Sequence, residues 1–230
     1  MIENNAFENK GNPHLVEVAA GALMLNGMLT IPDNARGIVL LSQGSRNLEN
    51  IDYHADVAQI LQTAGMATLF VRLLTEEEEV LDRDTSFFRF NVGILHQRIM
   101  GITRWLLENP GTQNLSIGYF GGDVTGAACL IAAAERPDPV HAIVVGNART
   151  DLAQPYLARI LAPTLLIAGE NDTTMSMNRE ALTQLPATVS ANRKLESIWG
   201  AAGLFETADL LQKVANLASQ WFTQHLEPIV

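Results

Sequence analysis

Residues 117–129, Ile-Gly-Tyr-Phe-Gly-Gly-Asp-Val-Thr-Gly-Ala-Ala-Cys, join an apolar run to a small-residue run through a glycine-rich corner. This layout is typical of a nucleophile elbow, where a sharp strand-to-helix turn exposes the side chain at its tip. Glycines are needed beside the tip because other side chains would collide with the backbone there. Gly121, Gly122 and Gly126 meet that need, yet no serine or cysteine stands at the corner.

The glycine spacing allows two registers for the corner. Residues 121–125 place Asp123 at the tip, whereas residues 122–126 place Val124 there. We favour Asp123, because valine fits a strained backbone poorly and does no chemistry. The alternative is an ordinary glycine-rich turn with only a structural role.

The pattern around the corner predicts the elements that position it. Two alternating runs, at 16–20 and 22–31, predict an antiparallel pair of strands. Strands are then expected at 37–42, 66–73, 115–120, 141–146, 164–168 and 194–199, and helices at 53–64, 92–107, 125–135 and 208–226. This alternation predicts an α/β fold with a mostly parallel sheet of about eight strands, helices on both faces and ligands at the carboxyl ends of the strands.

Composition limits the classes of partner. With 230 residues, 47% of them hydrophobic, the chain fits one α/β domain over residues 1–230. A formal net charge of −10 opposes binding to nucleic acid or to anionic membranes. The acidic run at 76–79 is expected to be a solvated helix start or loop. We expect no cofactor and no metal, because no residues stand at a diagnostic ligand spacing.

Cysteine usage and the amino-terminal residues bear on the compartment. Cys129 is the one cysteine, so no intramolecular disulfide forms, and an inert buried thiol is expected. The first residues lack a basic segment followed by an apolar one. We therefore expect a soluble, cytoplasmic protein, with homo-oligomerisation left open.

A wider set of motifs resembles one superfamily. Besides the elbow, the chain contains Leu-Ser-Gln-Gly-Ser at 41–45, Ala-Pro-Thr-Leu-Leu-Ile-Ala at 162–168 and Gly-Glu-Asn-Asp at 169–172. With these motifs the chain resembles the α/β-hydrolases, specifically the small dienelactone-hydrolase-like members. In such enzymes a serine or cysteine attacks the substrate, a histidine takes its proton and an acid orients the histidine. The resemblance places these roles at Asp123, Gly203 and Asp172, so only the acid is kept.

The histidine and the oxyanion loop also depart from the family pattern. The loop at 199–205 contains no histidine, and of the chain's five histidines only His54 is expected near the pocket, as a solvated residue at a helix start. Relatives commonly show His-Gly where this chain has Gln43-Gly44. Backbone N–H groups near Gly44 or Ser45, together with that of Val124, are still expected to face an anion.

Two readings of function follow from these substitutions. The first is a catalytically degenerate member of the family that binds a small-molecule ligand in the inherited pocket, or a protein partner. The second is an esterase- or lactonase-like hydrolase with an atypical site. In it Asp123 and Asp172 face one another, and paired carboxylates raise one pKa and can act as acid and base or bind a cation.

Overall fold

The computed structural model describes residues 11–44, 53–170, 173–186, 192–199, 204 and 207–228. These residues form an eight-stranded sheet with strand order β1-β2-β4-β3-β5-β6-β7-β8. The strands are β1 (His14–Ala20), β2 (Leu23–Thr30), β3 (Gly37–Gln43), β4 (Ala67–Arg72), β5 (Ser116–Gly122), β6 (Val140–Gly146), β7 (Thr164–Gly169) and β8 (Arg193–Ile198). The helices are α1 (Tyr53–Thr63), α2 (Glu76–Thr85), α3 (Val92–Glu108), α4 (Asp123–Glu135), α5 (Met175–Gln184) and α6 (Ala208–His225).

Strand direction follows from the hydrophobic pattern. β1 and β2 alternate between exposed and buried residues and pair antiparallel. β2 also pairs antiparallel with β4. β3, β5, β6 and β7 are nearly continuous apolar runs and pair parallel, as expected of strands that are covered on both faces. This arrangement confirms the predicted fold class.

Two hydrophobic cores lie on opposite faces of the sheet. Side chains along a strand alternate between faces, so Leu40 of β3 belongs to the core that contains α3 and α4. Its neighbour Leu41 belongs to the core that contains α1 and α6. The carboxyl ends of the parallel strands, where ligands bind in such sheets, form one edge of this layered structure.

The acidic run at 76–79 begins α2 and is more than a solvated segment. Thr75 and Glu78 form a capping box at the helix start. The Glu78 carboxylate also accepts two hydrogen bonds of 2.6 Å from Arg98, which is buried on α3. The run therefore fixes α2 against α3, which corrects the expectation of a purely solvated role.

Candidate functional site

Asp123 occupies the corner between β5 and α4. Its φ is 49°, in the left-handed region that non-glycine residues rarely adopt, whereas Gly122 before it is extended. Val124 follows inside the first turn of α4 and is 2% exposed. Because aspartate is one of the few residue types that tolerate this conformation, the strained tip of the corner belongs to Asp123, and its side chain is exposed.

Close packing of α4 on the sheet explains the glycines beside the corner. A Cβ on Gly126 would lie 2.9 Å from Cβ of Ala148 and 3.3 Å from the carbonyl oxygen of Gly121. A Cβ on Gly121 would lie 3.0 Å from Sγ of Cys129. The distance at Gly126 is shorter than two carbon atoms normally keep, so glycine is needed there, whereas a side chain at Gly121 would require its neighbours to shift by a few tenths of an ångström.

The end of β3 lies against the first turn of α4. A Cβ on Gly44 would lie 3.0 Å from Oγ1 of Thr125, so the predicted oxyanion loop begins beside the corner. Val124 is in the first turn, where helix N–H groups have no intrahelical acceptor. Gly44 and Val124 are thus close to the corner, and their role toward an anion stays a prediction. Ser45, Asp172 and Gly203 lie outside the described residues.

Arg72, which the sequence analysis did not single out, ends β4 beside Gln43. The parallel register pairs the two residues, and the alternation of β3 and β4 puts both on the face that carries α1. Arg72 is partly buried, and its Nε is a buried donor with no hydrogen-bond partner. Its guanidinium lies 5.8 Å from the ring centre of Phe70. No ion pair found among the described residues includes Arg72.

His54 is buried beside Arg72, which corrects the expectation of a solvated histidine. Its ring meets Phe70 edge-on, with centroids 4.5 Å apart, and the residue is 5% exposed. Burial, with a smaller contribution from the charge of Arg72, lowers the pKa of His54 to about 3. An imidazole with that pKa is neutral and a weak base near pH 7.

Three of the other four histidines lie toward the amino ends of the parallel strands, and the fourth, His96, is near the start of α3. His14 starts β1, and His141 is the second residue of β6. His96 on α3 contacts Glu135, the last residue of α4, at 3.5 Å. His225, at the end of α6, packs on Trp221, which itself contacts the residue before β7. His14, His141 and His225 therefore lie away from the carboxyl edge at which Asp123 stands.

Cys129 and Ser42 offer no alternative nucleophile. Both are buried; Oγ of Ser42 donates to the carbonyl of Phe120 at 3.3 Å and lies 3.4 Å from Sγ of Cys129. Burial raises the pKa of the Cys129 thiol to about 12. A thiol in this state is protonated at neutral pH and therefore unreactive.

The ends of β6 and β7 are joined through Asn147. This residue also adopts a left-handed conformation, with φ 44°. Its N–H donates to the carbonyl of Ile167 at 2.8 Å, and its Oδ1 accepts from the N–H of Gly169 at 3.0 Å. The sequence signal for it is weak, because asparagine after a strand is also common in ordinary turns.

Arg149 flanks the corner, and its side chain pairs with Asp151. Its N–H donates to the carbonyl of Asp123 at 3.1 Å. Its guanidinium binds both oxygens of Asp151, at 2.9 and 2.8 Å. This pairing raises the pKa of Arg149 and lowers that of Asp151. Arg149 therefore contributes backbone order at the corner, and the negative charge of Asp123 also helps to raise its pKa.

The described part of the chain contains neither a metal-binding cluster nor a membrane-spanning helix. No group of three or more His, Cys, Asp or Glu side chains in it is arranged to hold a metal ion. Within the same residues, no helix has both the length and the apolar character needed to cross a bilayer.

The strand order, the crossover helices and the corner at Asp123 define an α/β-hydrolase fold. A crystal structure of dienelactone hydrolase from Anabaena variabilis is 44% identical, with a TM-score of 0.87, and the match covers 94% of this chain and 99% of that one. The chain therefore belongs to the dienelactone-hydrolase-like family, which confirms the resemblance. The esterase domain of a Rhodothermus marinus protein shares only the fold, at 15% identity, a TM-score of 0.70 and coverage of 94% and 100%.

Other comparisons add a longer type of relative. Two Mycobacterium tuberculosis proteins, from strains CDC 1551 and H37Rv, bear the provisional name phosphoribosyl transferase. Each is 37% identical over 231 residues, which is 98% of this chain and 50% of the relative. The chain thus spans about half the length of these curated relatives. No family model matches it.

Proposed function

We propose that this chain is a non-catalytic, ligand-binding member of its family, which binds a small ligand through an oxyanion at the carboxyl edge of the sheet. The observation that carries the proposal is the carboxylate of Asp123 at the strained corner. An ionised carboxylate only accepts hydrogen bonds, so it has no proton for a histidine to remove. Removal of triad members typically costs factors of about 10⁴ to 10⁶ in turnover.

Arg72 and Gln43 support the class of ligand. A guanidinium with a buried, unpartnered N–H is costly to leave without an acceptor. The neighbouring His54 is neutral, so it does not repel the guanidinium, and Arg72 is the cation that an incoming anion would meet. Carboxylate and phosphate oxygens match the planar fork of arginine, and the amide of Gln43 can donate beside it. The rest of such a ligand would extend along the edge toward Gly44 and Asp123.

Names of relatives bear on this proposal in different ways. The Anabaena protein is called a hydrolase, which is consistent with an ancestral site at this edge. The transferase name belongs to proteins of which this chain matches half. Because the matched half has an α/β-hydrolase fold, we assign no phosphoribosyl transfer to this chain.

An atypical hydrolase is the second candidate. It is favoured by the exposure of the Asp123 side chain, since aspartate can attack carbon and form an ester. It also requires Asp172 to provide the second carboxylate. In this case substitution of Asp123 would abolish a measurable turnover, whereas the binding proposal predicts none to abolish.

Thermal unfolding in different anions tests the binding proposal. Acetate and inorganic phosphate are each compared with chloride at equal ionic strength, and at saturating concentrations they should raise the thermal unfolding midpoint of the parent by a few degrees. The anion that binds more tightly identifies the oxyanion. Arg72→Gln should remove the effect. Arg83→Gln, on an exposed face of α2, makes the same change in charge and should retain it. Equal midpoint shifts in the parent and Arg72→Gln would contradict the proposal.

A further inference from the structure

A shallow, largely open cleft lies between the last strand and the last helix. This cleft has a volume of about 370 Å³, within the range of small-ligand pockets. Its apolar lining comes from Ile198 of β8, Leu217 of α6 and Trp199. The region, called here the β8–α6 cleft, involves none of the residues of the corner or of the Arg72 edge.

Trp199 presents its ring to solvent. It is 85% exposed, more than any other large hydrophobic side chain among the described residues. Tryptophan is normally buried over most of its surface, because its ring loses a large apolar area to water when exposed. An exposed indole in the lining of a cleft offers a face on which a planar ring can stack.

The helix side of the cleft supplies hydrogen-bond donors. Lys213, Asn216 and Gln220 follow one another at helical spacing and line the same face. Oδ1 of Asn216 already accepts from Gln212 at 3.3 Å, so its NH₂ group is the part left for a ligand. Lys213 is in none of the ion pairs of the described residues, whereas Lys194 on β8 pairs with Glu196.

The charge of the cleft differs from that of the chain. The formal net charge is −10, yet among the described residues no carboxylate lines the cleft, and one ammonium, that of Lys213, does. A ring face, a cation and amide donors together match a planar molecule that carries a negative group. A neutral apolar ligand would leave Lys213 unused, and a cation would be repelled by it.

We propose that the β8–α6 cleft binds a planar aromatic or heterocyclic ring that bears a carboxylate or a phosphate. The ring stacks on Trp199 and contacts Ile198 and Leu217. The anionic group lies at Lys213 and accepts hydrogen bonds from Asn216. This site is independent of the ligand proposed for the Arg72 edge.

Isothermal titration calorimetry on the full chain tests this proposal with three probes: 2-naphthoate, 2-naphthyl phosphate and neutral 2-naphthol at pH 7. At least one anion should bind the cleft at one site per chain and more tightly than 2-naphthol, and any second site at the Arg72 edge should be absent in Arg72→Gln. Trp199→Ala should weaken binding to the cleft by about three- to tenfold, as expected for loss of a stacked ring, and Lys213→Gln by about three- to fivefold, as expected for loss of an exposed ion pair. The tighter of the two anions identifies the headgroup.

Matched variants make each outcome decisive. Lys194→Gln removes a lysine from β8 itself, outside the cleft lining, and should keep the affinity within about twofold. Arg72→Gln should remove only the separate oxyanion site proposed at the carboxyl edge, and the cleft should keep its affinity. The proposal is overturned if neither anion binds, if 2-naphthol binds equally well, or if affinity survives both cleft variants. Loss of binding in Arg72→Gln alone would assign the anion to the carboxyl edge and overturn it as well.

Discussion

Mild acid should destabilise the protein through His54. The folded state holds this imidazole neutral, with a pKa of about 3, whereas an unfolded chain titrates it near its ordinary value of 6.5. The unfolded state therefore binds the extra proton first as the pH falls. Stability from this group is present above pH 6.5 and is lost progressively below it. Each pH unit is equivalent to about 1.4 kcal/mol, so acidification to pH 5 should remove about 2 kcal/mol.

This magnitude does not depend on the exact folded pKa, provided that the value stays well below 5. Urea unfolding at 25 °C, at pH 7.5 and pH 5.0 and constant ionic strength, measures it. His54→Gln should show a much smaller loss, with a remainder from His225, whose pKa burial also lowers. Stopping at pH 5 limits the contribution of carboxylates. Equal losses in the parent and in His54→Gln would refute the reasoning and reopen His54 as an accessible base.

Two further predictions concern the corner. Asp123→Ser combined with Gly203→His should create weak aryl-ester hydrolysis, because the family resemblance assigns the acid to Asp172 and the oxyanion donors to backbone N–H groups. Neither single change should do so. A double variant that folds but is inactive would argue against an inherited scaffold. Gly126→Ala should destabilise by about 1–2 kcal/mol in urea unfolding, because its Cβ would lie 2.9 Å from Cβ of Ala148. At Gly93 the nearest atom to an added Cβ is an asparagine oxygen at 3.3 Å, so Gly93→Ala should be neutral or stabilising by up to about 1 kcal/mol. If both substitutions changed the free energy of unfolding in the same direction, the packing explanation would be contradicted.

The local pattern of apolar residues and glycines was sufficient to predict most of the fold. The unbroken apolar run of β3 predicts a strand covered on both faces, and Gly65 ends α1 with φ 82° as a helix-stopping glycine does. Glycine spacing also predicted the corner at 121–126, because close backbone approach leaves a direct signature in the sequence. By contrast, α5 was not predicted, since Met175–Gln184 has a mostly polar composition and a weak helical stripe.

Features that depend on strand order were missed. Arg72 lies beside Gln43 only because β4 sits next to β3, and no local pattern indicates that neighbourhood. The burial of His54 likewise depends on Phe70, which comes from another strand. The roles assigned to Asp123, Asp172, Gly203 and Ser45 stay predictions, as do the cytoplasmic location, the absence of nucleic-acid and membrane partners and any homo-oligomer.

Turnover of a reactive aryl ester, such as p-nitrophenyl acetate, tests the central claim most directly. The purified parent, Asp123→Ala and a heat-denatured sample are compared at pH 7.5 under identical conditions. A corner that carries a carboxylate and lacks a histidine base predicts that the three rates coincide within error. Faster hydrolysis by the parent that disappears in folded Asp123→Ala would contradict the account and establish the atypical hydrolase in its place.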